Sequence, residues 1–286
     1  MHKIVIPVAG LGTRFWPATA AMPKEMLPLV DRPIIDYGVE EALEAGLTDL
    51  LLITSRAKRP IEDHFDLPPD IAQAFQARGL DSPRRDGMRF HFVRQNSPAG
   101  LGHAVSLASA HVGDAPFAVL LPDDVLVGSP GCLHEMTRLY RETGRPIVCV
   151  RRVPPSMVSS YGIIRAEPAG PDTHTVLDLV EKPSPEQAPS NLAIVGRYIL
   201  PPQVFALLGR QRPGVGGEIQ LTDALREINR ETPLLAYEFP GRVYDTGSKL
   251  GFLQATVDLA MEHPKLGADF RAWMCATLER LLTSVD

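Results

Sequence analysis

Val8-Ala9-Gly10-Leu11-Gly12-Thr13-Arg14, followed ten residues later by Lys24-Glu25-Met26-Leu27-Pro28, decides how this chain is read. Upstream, Lys3-Ile4-Val5-Ile6-Pro7-Val8 is a short apolar, β-branched run, the pattern of a buried strand. A chain leaving such a strand through Gly10 and Gly12 turns sharply and brings bare backbone N–H groups close to an anion. Thr13 adds a hydroxyl, and Arg14 and Lys24 add positive charge. A dinucleotide fingerprint requires a third glycine where Phe15 stands, and a helix opening at once where Trp16-Pro17 and Pro23 keep the chain irregular. A P-loop requires four residues between its glycines and then Gly-Lys-Ser/Thr, which this stretch lacks. Two readings remain at this level: a nucleotidyltransferase loop with Arg14 on a triphosphate and Lys24 nearby, or a tight strand-exit turn with solvated charges.

Working outward, Asp31-Arg32-Pro33 starts a helix carrying Ile35, Val39 and Leu43 at four-residue spacing and closed by Gly46. Leu50 to Thr54 is then a continuous apolar run, as in a parallel strand covered on both faces. Strand, loop, helix and strand make a βαβ unit and favour a doubly wound, Rossmann-like α/β fold with a mixed, mostly parallel sheet. A short helix over 58–65, a polar surface insertion over 70–88, a strand over 89–95 and a helix over 100–112 are expected next. Phe117 to Leu121 is a further buried strand, with Pro122-Asp123-Asp124 at its carboxyl end, where open α/β sheets bind ligands. Those acids are either a hard oxygen site for Mg²⁺ or an Asp-rich turn. A helix over 132–143 and a strand over 147–150 follow. From Val153 the expected strands (162–166, 175–181, 194–200) succeed one another across proline-rich connections, which predicts an antiparallel subregion. Helices over 218–230, 249–262 and 268–282 complete the pattern: one domain over 1–264 with a helical tail over 265–286.

The bulk properties narrow the class. A length of 286 residues with 44% hydrophobic and 22% charged content suits one soluble α/β domain. A formal charge of −5 argues against a general nucleic-acid or anionic-membrane binder. Cys132, Cys149 and Cys275 are odd in number and widely spaced, which fits reduced thiols in the cytoplasm better than a disulfide framework. No stretch reads as a targeting segment, and none approaches the roughly 20 apolar residues of a membrane span. The eight histidines show no metal-ligand spacing along the chain.

Taken together, Ala9 to Arg14, Pro17-Ala18-Thr19 and Pro23 to Asp31 resemble the bacterial UTP–glucose-1-phosphate uridylyltransferases, or UDP-glucose pyrophosphorylases, of the sugar nucleotidyltransferase family. The similarity continues, in family order, through Gly100-Leu101-Gly102-His103-Ala104, Leu121 to Asp124, Glu181-Lys182-Pro183, Ser190 to Tyr198, Gly217 to Asp223 and Tyr244 to Gly247. It implies transfer of a uridylyl group from UTP to glucose 1-phosphate, giving UDP-glucose and pyrophosphate, with Mg²⁺ as cofactor and a homo-dimer or homo-tetramer as the assembly. Arg14, Lys24 and Lys182 become the catalytic cations, Lys182 holding the sugar phosphate. Asp123 and Asp245 become the metal ligands. Ala9, Gly10, Leu11, Gly12, Thr13, Glu25, Gln95 and Gly100 become the nucleotide contacts, with Gln95 on the uracil edge. Glu181 and Gly162 take sugar hydroxyls, and Asn191, Gly196 and Glu218 line that pocket. Taken alone, Lys182 also reads as a strand-end lysine, Asn191 as a turn cap and Glu218 as a helix N-terminal acid. His103 reads as a helix-start or packing residue. Phe15-Trp16 and Asn96-Ser97-Pro98 depart from the aliphatic pair and the glycine-containing stretch usual in the family.

Overall fold

The computed structural model describes residues 1–79, 87–214 and 217–283. Strand β1 (Lys3–Pro7) is followed, after the glycine loop, by the short β2 (Pro28–Leu29) and β3 (Arg32–Pro33), helix α1 (Ile34–Glu44) and β4 (Asp49–Thr54). Helices α2 (Arg59–Phe65) and α3 (Pro69–Gln76) lead to β5 (Arg89–Arg94), then α4 (Leu101–Ser106), α5 (Ser109–Val112), β6 (Phe117–Leu120) and β7 (Asp124–Val127). Next come α6 (Cys132–Thr143), β8 (Ile147–Arg152), β9 (Gly162–Gly170), β10 (Thr173–Glu181) and β11 (Leu192–Leu200). The chain closes with α7 (Val204–Leu208), α8 (Leu221–Glu231), β12 (Leu235–Glu238), β13 (Arg242–Asp245), α9 (Lys249–Glu262) and α10 (Gly267–Thr283).

One mixed sheet carries the fold, in the order β5-β4-β1-β6-β11-β8-β12-β10-β9, with β11 also touching β9. The strands β5, β4, β1 and β6 pair in parallel, as the crossover pattern requires. Alternation along β1 winds the sheet on both faces. Ile4 and Ile6 belong to the apolar layer that holds Ile35 and Val39 of α1 and Leu133 and Met136 of α6. Val5 belongs to the opposite layer, with Val105, Val204 and Leu225 from α4, α7 and α8. Antiparallel pairing reaches further into the sheet than the expected subregion. All nine residues of β11 are buried, and the strand runs antiparallel between β6 and β8, so it joins the two halves.

Three local expectations are refined. The polar stretch after residue 69 contains α3, whose residues are all exposed or half-buried; the charged run at 82–86 lies outside the described residues. The helix expected over 100–112 divides into α4 and α5, because at Ala108 the backbone bond tightens to the carbonyl of Val105, three residues back. The helix expected from Glu218 opens instead at Leu221. The Ile219 N–H is spent on the Ala99 carbonyl and its C=O on the Gly102 N–H, so this residue laces the loop before α4 to the start of α8. Among the described residues no helix is long and apolar enough to cross a membrane.

Candidate active site

The glycine loop has its shape because Gly12 sits at φ 67°, in the left-handed region, and its carbonyl accepts a 2.8 Å hydrogen bond from the Thr19 hydroxyl. A β-carbon at Gly12 would lie 3.3 Å from Thr19 and 3.4 Å from Lys24, so the loop closes directly over the segment that carries the lysine. Phe15 anchors the far side, packed edge-on against Phe252 of α9 at 5.6 Å. Gly10, Leu11, Thr13 and Arg14 stay exposed above this anchor.

Lys24 stands in a single 3₁₀ turn and donates to the Asp123 carboxylate at 2.5 Å. Burial works against the ammonium, but Asp123 and Glu25 outweigh it and raise its pKa. Burial likewise opposes charge on Asp123, yet Lys24, backed by Arg14, holds that carboxyl below its ordinary value. Glu25 points the other way, onto Lys58 at 2.7 Å, with both side chains buried. Its burial pushes its pKa up against the pull of Lys58 and Lys24. Sequence reasoning set Glu25 among the nucleotide contacts without naming its partner, and read Lys58 as the start of a helix.

Asp123 directly precedes β7, and Asp245 is the last residue of β13. The separate pair β7–β13 sets Asp245 opposite Asp124. Thr246 then donates to the Asp123 carbonyl through its N–H at 2.7 Å and its hydroxyl at 2.8 Å. At Gly247 a β-carbon would lie 2.9 Å from an Asp123 carboxylate oxygen and 3.0 Å from one of Asp245. Both carboxylates therefore converge on one point, which only glycine leaves open. Asp124 diverges, as expected of the next residue in an extended chain: its carboxylate accepts the Gly196 N–H at 2.9 Å. Burial, then the neighbouring Asp123, push its pKa up to about 6. Arg197 fixes the turn from beneath. It is fully buried against Glu41 at 2.6 Å and donates to the carbonyls of Leu121 and Asp124, each at 3.0 Å.

A cleft of about 250 Å³ opens here, lined by Ala9, Gly10, Lys24, Glu25, Gln95, Gly100, Asp123 and Glu218. Gly100, at φ 97°, allows the close approach: a β-carbon there would meet Glu218 and the Ile219 carbonyl at 2.7 Å. The buried Gln95 amide lies 2.8 Å from Nδ1 of His103, so the histidine read as a packing residue positions a cleft side chain. A larger open groove of about 570 Å³, lined by Tyr244, Val257 and Asp258 among others, lies between β13 and α9, away from the converging carboxylates.

Beside this cleft stands a second group. In the β9–β10 register Gly162 faces Glu181, whose carboxylate accepts the Thr222 hydroxyl at 2.6 Å. Lys182 follows at φ 45°, a conformation rare outside glycine, with Nζ 3.5 Å from Glu181. Tyr198 of β11 is buried; burial, and then the carboxylates of Asp124 and Glu181, push its phenol pKa up. Both backbone groups of Gly196 are taken within the protein, its N–H by Asp124 and its C=O by the Leu121 N–H, so this glycine lies beneath the site. Asn191 lies at the entrance to β11, its carbonyl accepting from Val153 at 3.0 Å. Sequence reasoning missed Lys58, Thr222 and Tyr198 as members of this region. Thr222 and Tyr198 lay within motifs already singled out, and for Lys58 no sequence signal existed.

A family model described as nucleotidyl transferase matches residues 3–262. UTP–glucose-1-phosphate uridylyltransferase YngB of Bacillus subtilis is 45% identical over 286 residues, covering 98% of this chain and 96% of that protein. A UTP–glucose-1-phosphate uridylyltransferase of Staphylococcus haemolyticus is 45% identical, with 93% and 94% covered. Among solved structures, a UDP-glucose pyrophosphorylase complexed with UDP-glucose superposes with a TM-score of 0.84 at 42% identity, covering 92% of this chain and all of that one. A UTP-bound UGPase of Acinetobacter baumannii superposes with a TM-score of 0.87 at 38% identity, covering 96% and 99%.

Proposed function

The chain belongs to the nucleotidyl transferase family, and from that premise we propose that it transfers a uridylyl group from UTP to α-D-glucose 1-phosphate, yielding UDP-glucose and pyrophosphate. A phosphate oxygen of the sugar phosphate attacks the α-phosphorus of UTP in line. With its second pKa near 6, that phosphate is already mostly dianionic at neutral pH, so no general base is required. The difficulty is electrostatic: two anions must meet and the leaving pyrophosphate must be stabilised.

One observation carries this reading: the carboxylates of Asp123 and Asp245 converge above Gly247, with Lys24 bonded to one of them. Hard oxygen donors so placed fit Mg²⁺, which binds through one or two carboxylates and otherwise keeps water and phosphate oxygens. When bound, the ion would neutralise phosphate charge during the transfer. Lys24 and Arg14 hold the triphosphate, with the backbone of Leu11, Gly12 and Thr13 helping. Gln95, Ala9, Gly10 and Gly100 receive the uracil. Glu181 takes neighbouring sugar hydroxyls, and Lys182 holds the sugar phosphate. The reaction runs in the cytoplasm, where the three free cysteines are at home. The tail over 265–286 mediates homo-oligomer contact, a role supported by Trp273 and Leu278 exposed on α10. A matrix of nucleoside triphosphates against hexose 1-phosphates, with Mg²⁺ or EDTA, tests the proposal through pyrophosphate release. UTP with glucose 1-phosphate should dominate and EDTA abolish the signal. Preference for dTTP or ATP would overturn it.

A further inference from the structure

At the opposite, amino ends of the parallel strands lies a second cluster. Asp49 opens β4, and its register partners Lys3 and Arg89 open β1 and β5. Nε2 of His111, from α5, lies 2.9 Å from Oδ1 of Asp49, and Nε2 of His91, from β5, lies 3.4 Å from that same oxygen. The two rings lie against each other, centroids 4.5 Å apart. One ligand atom from each of the three residues falls within 4.8 Å of the others. Along the sequence these histidines show no ligand spacing; the sheet register brings them together.

We propose that Asp49, His91 and His111 bind a divalent transition-metal ion of the zinc type, at a site separate from Asp123 and Asp245. Ligand bonds of about 2.0–2.1 Å place neighbouring corners of a zinc tetrahedron about 3.3 Å apart. The separations from Asp49 Oδ1, 2.9 and 3.4 Å, bracket that value and set two edges of one tetrahedral face; the third, between the two histidines, is under 4.8 Å and closes by a side-chain adjustment when the ion binds. His91 is 45% exposed, which leaves water access to the fourth corner. The surroundings select the metal. Arg89 lies 3.3 Å from Oδ2, the other Asp49 oxygen, leaving Oδ1 to coordinate. Lys3 is spent on the carbonyls of His111 and Val112. Two cations so near disfavour an ion held by charge alone, such as Mg²⁺. An ion that gains bonding from imidazole nitrogen is favoured instead. Bound there, it clips the edge strand β5 and helix α5 to β4.

The test is titration of chelator-treated full-length protein with Co²⁺ in excess Mg²⁺. Visible absorption of a four-coordinate site is the readout, since octahedral oxygen sites absorb far more weakly. One equivalent should give such a spectrum, Zn²⁺ should displace it, and Zn²⁺ should raise Tm. His91→Ala and His111→Ala should each weaken Co²⁺ binding by about tenfold or more. His91 is half-exposed on an edge strand, so its variant keeps the fold, which an unchanged Mg²⁺-supported activity verifies. Absence of the spectrum in wild-type protein would overturn the site, and so would an unchanged spectrum and affinity in both variants.

Discussion

The segment Pro23–Pro28 has two faces, and its neighbouring residues Lys24 and Glu25 enter ion pairs of opposite character. Toward the cleft, Lys24 meets Asp123 with the side chains 20% and 31% exposed. Toward the interior, Glu25 meets Lys58 with 2% and 4% exposed. A sealed pair cannot exchange partners, because any exchange leaves a charge stranded without water. It can only hold the segment in place. A pair at the rim of a cleft can give its members to phosphate and metal and recover them. The difference teaches that solvent access, rather than residue type, separates the scaffold from the machinery.

Four experiments break or sharpen that contrast. The largest effect should come from Lys58→Met, which strands Glu25 and should cost roughly 3–5 kcal/mol in urea denaturation. Adding Glu25→Gln should recover most of it. The Lys58→Met loss should also grow with pH. The unfolded chain releases the Glu25 proton near the ordinary 4.5, while burial in the folded variant holds that proton to higher pH. Folding stability therefore falls as pH rises from about 5 to 8. If the loss is the same at both ends of that range, the pair is not sealed.

On the cleft face, Asp123→Asn and Arg14→Ala should each lower turnover by about 10²–10³ while leaving the urea midpoint nearly unchanged. Wild-type turnover in either would remove its assigned role. Lys24→Met is subtler: turnover falls, yet the Mg²⁺ concentration for half-maximal rate falls too, since no ammonium competes for Asp123. A raised Mg²⁺ requirement would contradict that competition. The smallest effect belongs to the exposed Arg138, bonded to Glu135 and Glu142 on one helix face. Arg138→Ala should leave both Tm and turnover unchanged.

Much of this was legible in the sequence. The continuous apolar runs announced buried strands, and Gly10, Gly12, Asp123 and Glu181 fall where strands end, so the sequence itself outlines the cleft. What stayed hidden was pairing across the fold. Glu25 and Lys58 are 33 residues apart and His111 lies 62 from Asp49, distances that no helical or strand period encodes. Gln95 and His103 are only eight apart, but a glycine turn intervenes and reverses the chain between them. The reach of β11 was hidden for a related reason. A run of nine buried residues announces burial on both faces, while its direction depends on which neighbours it finds.

The small pairing of β7 with β13 has a consequence for biosynthesis. Asp123 is in place before half the chain has been made, whereas Asp245 arrives only with the last residue of β13. No amino-terminal fragment stopping short of that strand possesses both carboxylates, however well its glycine loop has formed. If the two carboxylates hold the ion as proposed, translation must pass β13 before its product can trap it with both.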